Sequence, residues 1–415
     1  VLLVRNVITT RVKMKVAVVR ETFPGERRVA LIPETLPSLT KAGWQVLVES
    51  GAGVPAGFLD SDYQAKGAEI VADRAAAFAE ADVVLQVRLL GANPEAGRND
   101  LGFLRKNLVI IGTTDPLGNP QAIKELADIG VIAFAMELIP RITRAQSMDV
   151  LSSMATIAGY KAVLKAADHL PKLFPMLMTA AGTLKAAKVL VLGAGVAGLQ
   201  AIATARRLGA IVLAYDVRPA VKEQIESLGA KFVDLQLDTA QSEDKGGYAK
   251  QLTEEQIKLQ QERLAIVASE CDACICTAAI PGKRSPLLLT ATAVERMRPG
   301  SVIVDLAAER GGNCELTLAN KIAVTHGVTI MGPTDLVSEV PQHASQMYAK
   351  NLATFLLLMT KKGEFQIDLK DEVVRETLVA KDTQVQNQRL RDMLNLGPLV
   401  LPPASPPADH LADNS

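Results

Sequence analysis

KVLVLGAGVAGLQAIATARRLGAIVLAYD, residues 188–216, decides how the chain is read. An apolar run at 189–192 leads into the glycine turn Gly193-Ala194-Gly195-Val196-Ala197-Gly198. A helical pattern continues to Leu208, breaks at Gly209, and gives way to a second apolar run at 211–214 and an acid at Asp216. Strand, glycine turn, helix, strand and terminal acid form the order of a dinucleotide-binding fingerprint. Gly193 suits the tight turn, Gly195 lets the backbone approach a pyrophosphate, and Gly198 lets helix and strand pack closely. The helix start adds free N–H groups and the positive end of its dipole. Asp216 lies 18 residues past Gly198, near the spacing of an acid that binds the adenosine ribose hydroxyls. A carboxylate there repels the extra phosphate of NADP, so the stretch predicts NAD(H). Arg218, two residues on, keeps NADP as an alternative, because an arginine there can receive a 2′-phosphate. The plainer reading is a glycine turn in an α/β core with no ligand.

Around this stretch, 415 residues suggest two or three domains. With 48% hydrophobic and 22% charged residues the chain can build large cores. Basic and acidic residues both number 45, so there is no electrostatic case for nucleic-acid binding. Cys271, Cys274 and Cys276 resemble a metal cluster, but the latter two alternate inside an apolar strand pattern. With Cys314 they lack a second CxxC or a His pair, and no metal is expected. No apolar stretch is long and unbroken enough to predict a membrane span.

The first third alternates strand and helix patterns. Strands are predicted at 16–19, 46–48, 69–71, 83–87, 108–112 and 131–136. Helices are predicted at 73–81 and 121–129, the latter with Asn119 as cap and Pro120 in the first turn. Repeated βα units imply a mostly parallel sheet covered on both faces. The cluster Gly51-Ala52-Gly53-Val54-Pro55-Ala56-Gly57 has the wrong spacing for a fingerprint and a proline where an amide is needed, so it reads as a loop. At 140–153 Arg141, Arg144, Gln146, Asp149, Ser152 and Ser153 crowd together where the first domain passes into the second. They either line a cleft or are simply a solvated helix start capped by Asp149 or Ser152. A strand at 231–234 is followed by a polar stretch at 236–262, read as a mobile loop with Gly246 and Gly247 as hinge and Tyr248 as tip. Strands at 273–277 and 302–306 flank a helix at 291–297. A one-sided apolar helix at 343–359 then returns to the first domain. The expected division is an extension at 1–13, a first α/β domain at 14–152 completed by 334–362, a Rossmann domain at 153–333, and a polar, Pro-rich tail at 363–415. The fold class is thus α/β: two Rossmann-like, doubly wound parallel-sheet domains with a cleft between them.

Several motifs together resemble one family. They are RETFPGERRVALIPE, PRITRAQSMD, TAAGT, GAGVAGLQAIATARRLGA, YDVR, GGYAK, AAIPGK, PGSVIVDLAAERGGNCE and AKNLATFL, spread over roughly residues 14–360. The chain is similar to the NAD(H)-binding α subunits of the proton-translocating NAD(P) transhydrogenases, which share a fold with alanine dehydrogenases. PRITRAQSMD and GGYAK are the specific motifs. The resemblance implies that Arg141, Gln146, Asp149 and Ser152, with Ile142 and Thr143 between them, hold the nicotinamide carboxamide and ribose. These four are the candidate catalytic residues. It implies further nucleotide contacts from Gly193, Ala194, Gly195, Val196, Gly198, Asp216, Val217 and Arg218, from Gly247 and Tyr248 on a closing loop, and from Gln260 and Ala279.

The implied reaction is direct hydride transfer from NADH here to NADP⁺ on a partner, which needs positioning and exclusion of water rather than acid–base groups. The implied partners are a second copy of this chain, a membrane-spanning α component and an NADP(H)-binding β subunit. A Pro-rich tail with no span suggests a split form whose other components are separate chains. The subunit is then expected on the cytoplasmic face of the inner (plasma) membrane, held there through its partners. An alanine-dehydrogenase-type enzyme is the alternative, since Arg28 matches a carboxylate-binding arginine of those relatives. Against it, Arg88 stands where they have a lysine, and the region of their histidine, VIIGTTDPL, has none. A non-catalytic NAD-sensing module is a third reading.

Overall fold

The computed structural model describes residues 13–237, 252–280, 282 and 284–399. Six short apolar segments supply the parallel part of the first sheet: β1 (Lys15–Val18), β2 (Gln45–Glu49), β3 (Glu69–Val71), β4 (Val83–Arg88), β5 (Val109–Thr113) and β6 (Ile132–Ala135). Their spatial order is β3-β2-β1-β4-β5-β6. The centre reads as continuous hydrophobic runs because both faces are covered, with Val16, Val18 and Leu85 in one core and Ala17, Leu47 and Val84 in the other. Asp73, predicted inside a helix, instead caps helix Arg74–Glu80, its carboxylate accepting the Ala76 N–H at 2.9 Å. Asn119 takes the expected place before helix Pro120–Ile129, but its side chain makes no capping bond. The first glycine cluster is a loop with a short 3₁₀ turn, Val54–Ala56.

Past the hairpin β7 (Leu177–Thr179) and β8 (Gly182–Leu184) comes the second sheet. Its strands are β9 (Lys188–Leu192), β10 (Ile211–Tyr215), β11 (Lys231–Phe232), β12 (Ala273–Cys276), β13 (Val302–Asp305), β14 (Ile322–Thr325) and β15 (Val328–Met331). The order is β11-β10-β9-β12-β13-β15-β14, parallel except for β14 at the edge. Both sheets are therefore doubly wound, with the direction of winding reversing beside β1 and β9. All four cysteines are buried and free, in the core behind β9, β12 and β13. Burial pushes the Cys271 thiol up to about 12 and that of Cys314 to about 11.

Two long helices join the domains. Helix Val150–His169 leaves the first and lies on helix Val196–Arg207 so closely that a Cβ on Gly159 would stand 2.1 Å from the Ala197 carbonyl oxygen. Helix Pro341–Leu358 returns, burying Tyr348, Leu352, Phe355 and Leu356 in the first core.

Two sequence expectations are corrected. Residues 363–399 are not a tail. β16 (Thr360–Lys361) and β17 (Glu364–Phe365) form a small hairpin, and then β18 (Leu378–Lys381) runs antiparallel beside β6, with β19 (Gln384–Val385) outside it. Leu378, Val379 and Ala380 are buried, and the short helices Glu372–Thr377 and Gln388–Met393 are capped by Asp371 and Asn387. Three apolar residues in a polar stretch are enough to cover one open sheet edge, but too few to show as a pattern. The stretch at 236–262 is likewise not all loop. Thr253 and Gln256 form a capping box that starts helix Glu254–Ser269. Its first turns are solvated, and only Gln260, Leu264, Ala265 and Ala268 face the core. Gly246, Gly247, Tyr248, the 1–12 extension and residues 400–415 lie outside the described residues.

Candidate functional site

The fingerprint occupies the C-terminal edge of the second sheet, where winding reverses between β9 and β12. Gly193 has φ +94°, and a Cβ on it would meet the Thr277 hydroxyl at 2.8 Å. Gly198 is packed tighter still, its added Cβ only 1.9 Å from the Gly193 carbonyl oxygen. Gly195 differs: it heads helix Val196–Arg207, is exposed, and a Cβ there would meet nothing within 4 Å. So Gly193 and Gly198 serve the turn's own packing, while Gly195 leaves open space at a helix N-terminus, the place where a phosphate is received. Val196 is exposed beside it, and Ala194 is buried beneath.

Asp216 ends β10 and is buried. One carboxylate oxygen accepts the Ala194 N–H at 2.7 Å and the Arg218 guanidinium at 2.9 Å. The other accepts the Arg218 backbone N–H and Nε, both at 2.9 Å. Val217 and Arg218 are half-buried, and Ala279 is exposed just past β12. Gln260 sits underneath: it is buried, and its amide donates to the Tyr215 hydroxyl at 2.7 Å. Burial lifts that hydroxyl to about 12. Two residues that sequence reasoning passed over shape the neighbouring loops. Asn313, fully buried, accepts the Ala278 N–H at 3.0 Å and donates to the carbonyls of Ala278 and Pro286 at 2.8 Å. Asp305 gathers the N–H groups of Ala307, Asn313 and Cys314 and the Thr317 hydroxyl. The legible signal was an acid closing an apolar strand just ahead of Gly311-Gly312, both at positive φ.

The 140–153 stretch is a 3₁₀ turn, Thr143–Met148, entering helix Val150–His169. Asp149 caps that helix, accepting the Ser152 N–H at 2.9 Å and its hydroxyl at 2.6 Å. The bland capping reading thus describes the geometry of both residues, without removing them from the cleft. Arg141, Thr143 and Gln146 are exposed, and Ile142 is half-buried. Asn351 braces the turn through the Ser147 carbonyl at 2.8 Å. Arg144 points elsewhere, forming a two-pronged pair with Asp371 at 2.9 and 3.0 Å. The two groups of residues are connected by the helix itself. Asp149 stands ten residues before Gly159, roughly 15 Å of helix from the contact with Ala197.

Across the cleft, the C-terminal edge of the first sheet faces the second. Asp115 pairs with Arg310, Arg88 lies 3.9 Å from Glu309, and Leu117 packs on Gly282. Beneath this rim is a buried charge cluster. Glu26 accepts Arg28 at 2.6 and 2.7 Å, Arg88 at 3.1 Å and Ser338 at 2.7 Å. Burial disfavours its charge, but Arg28 and Arg88 hold it well below the usual carboxylate range. Glu21 accepts the N–H groups of Val87 and Arg88. Burial, together with the nearby Glu26, pushes it up to about 8. Glu137, which accepts the N–H groups of Thr114 and Asp115, is raised to about 7 by burial. No helix among the described residues is long and apolar enough to cross a membrane.

Comparison with known proteins follows this geometry. The family model "Alanine dehydrogenase/PNT, N-terminal domain" matches residues 17–158, and "Alanine dehydrogenase/PNT, C-terminal domain" matches 162–388. The chain is 46% identical over 380 residues to the first of the separate alpha-subunit chains of NAD(P) transhydrogenase in Rhodospirillum rubrum, covering 91% of this chain and 99% of that one. It is 45% identical over 373 residues to NAD(P) transhydrogenase subunit alpha of Cereibacter sphaeroides, covering 89% of this chain and 70% of that one. A solved structure of transhydrogenase from Sinorhizobium meliloti superposes with a TM-score of 0.78 at 42% identity, over 90% of this chain and 99% of that one.

Proposed function

The chain belongs to the alanine dehydrogenase/PNT family, and from that premise we propose that it is the NAD(H)-binding subunit of a proton-translocating, Re/Si-specific NAD(P) transhydrogenase. The observation that carries the reading is the open helix start at Gly195 set beside a buried strand-end acid, Asp216. Pyrophosphate fits the first and the adenosine ribose fits the second. Arg141, Gln146, Asp149 and Ser152 then hold the nicotinamide end, with the loop carrying Gly247 and Tyr248 closing over it.

The chemistry asks little else of the chain. A hydride leaves C4 of NADH here and arrives at C4 of NADP⁺ on a β subunit, giving NAD⁺ and NADPH with no proton released at either ring. Alignment and dryness are what the protein contributes. Coupling to proton movement belongs to separate membrane components, on which this chain sits at the cytoplasmic face.

A homodimer is part of the same proposal. The β7–β8 hairpin exposes Met176, Leu177, Met178 and Leu184, and an isolated two-stranded hairpin has no core of its own. At its base a groove of about 710 Å³ is lined by Ala167, Leu170, Leu173, Pro175 and Leu208. A second copy covers both.

The test is to mix the purified chain with an NADP(H)-binding β subunit and NADH carrying deuterium at C4. Deuterium recovered in NADPH supports the proposal. Bound NADH with no transfer refutes it and leaves an NAD-sensing module. NADH oxidation driven by pyruvate and ammonia moves the assignment to an amino-acid dehydrogenase.

A further inference from the structure

The acid at the end of β10 is already occupied. Four donors meet its two oxygens, and three of them belong to Arg218. The ion pair is mostly buried, with side-chain exposures of 7% for Asp216 and 17% for Arg218. Taken together the two residues are neutral, so simple repulsion by a bare carboxylate is not what a 2′-phosphate would meet. It would meet an arginine whose Nε and one terminal nitrogen already bind a carboxylate.

We propose that Asp216 selects NAD(H) over NADP(H) by sequestering Arg218, so that the acid disarms the cation that would otherwise receive a 2′-phosphate. The inference rests on the reading of 193–218 as the nucleotide site and adds a second role for the pair within it. A ribose hydroxyl is a neutral donor and acceptor, so it can join the pair without breaking it. A 2′-phosphate is different. To grip it with its planar fork, Arg218 must leave Asp216, and a buried carboxylate is then stranded beside a dianion. The same arginine that argues for NADP in sequence therefore argues against it in structure, for as long as Asp216 is present.

The experiment measures NADH and NADPH affinity by calorimetry at one fixed ionic strength, for the wild-type chain, Asp216→Asn, Arg218→Ala and Asp216→Asn/Arg218→Ala. Asp216→Asn keeps an acceptor oxygen for the turn while removing the charge. It should bind NADPH about tenfold or more tighter than wild type, the worth of a restored arginine–phosphate fork. The double variant should lose that gain. Arg218→Ala leaves the carboxylate without its cation, so NADPH binding should weaken and the preference for NADH should rise. This arm serves even if Asp216→Asn folds poorly. The proposal is overturned by a folded Asp216→Asn chain with no gain for NADPH, by a gain that survives in the double variant, or by tighter NADPH binding in Arg218→Ala. Wild-type affinity for NADH is read separately: its absence defeats the nucleotide-site assignment, whereas its presence with any of these results defeats only the sequestration.

Discussion

Replacing Gly195 by alanine separates the fingerprint's binding role from its packing role. Gly195 adopts φ −74° and ψ −169°, extended values open to any residue, and the added Cβ meets no atom within 4 Å. The structure therefore predicts no clash. An alanine at this capping position costs roughly 0.5–1 kcal/mol. Loss of glycine's freedom in the unfolded chain returns about 0.4–1 kcal/mol. The two nearly cancel, and the melting temperature should stay within about 3 °C of wild type. Binding should change far more. The methyl group projects into the space where a pyrophosphate meets the helix N-terminus, and it holds the phosphate oxygens away from the amides. Losing one hydrogen bond to a charged group costs about 1.5–3 kcal/mol, a roughly 10- to 150-fold weaker affinity for NADH. Calorimetric titration with NADH, alongside a thermal melt, reads both numbers. Gly198→Ala is the contrast: its Cβ would lie 1.9 Å from a backbone oxygen, so the fold itself should suffer. Unchanged NADH affinity in a normally melting Gly195→Ala chain would refute the placement of the pyrophosphate.

Other consequences can be measured on the same chain. Gln146→Asn should leave NADH affinity nearly intact but slow deuterium transfer to the partner, since it disturbs alignment more than contact area; equal losses in both would reduce Gln146 to a binding group. Arg144→Ala removes a partly exposed pair with Asp371, so it should cost under about 1 kcal/mol and matter less at high salt; a large drop in melting temperature would mean that the turn depends on the pair. Stability should fall as pH rises from the mid-4s to about 8, because folding raises Glu21 to about 8 and Glu137 to about 7, so the native state keeps protons that the unfolded chain gives up. Glu26 acts oppositely: its lowered value contributes stability above the unfolded pKa that is lost as pH falls. Melting curves from pH 6.5 to 8.5 should decline for wild type and flatten for Glu21→Gln; parallel declines would acquit Glu21.

The residues differ in how plainly they spoke. The glycine turn was legible because each glycine answers a local steric demand, and β9, β10, β12 and β13 are runs buried on both faces. Helix Glu254–Ser269 was misread because only its second half carries an apolar face. β18 was missed because its three buried residues gain their meaning from β6, more than two hundred residues earlier in the chain. Asn313 and Asp305 were missed for a similar reason. A buried polar side chain that braces a loop leaves no periodicity, only a hydrogen-bonding need that becomes visible once the loop is folded. Asp216 is the subtler case. Its position was readable, but its partner was not, since nothing in the spacing of an acid and an arginine two residues apart says that the two side chains will meet. Only the turn after Tyr215 folds Arg218 back onto it.

The first-domain cluster bears on the chemistry in the same way. Amino-acid oxidation requires a group that can take up or release a proton and a cation free to hold the substrate carboxylate. Arg28 is bound on two prongs by Glu26. Arg88 is tied to Glu26 below and faces Glu309 across the cleft, with its guanidinium 4.2 Å from the centre of the Phe23 ring. An arginine keeps its proton at any pH the fold survives, so Arg88 cannot act as the acid or base that a lysine could supply. A substrate carboxylate would also have to displace Glu26 from Arg28, stranding a buried charge. What the cluster can do is hold β1, β4 and the start of helix Pro341–Leu358 in a fixed relation, and so fix the rim that faces the nucleotide. A reaction that moves a hydride between two aligned rings needs such a frame and no proton relay, and that is the chemistry these buried charges leave open.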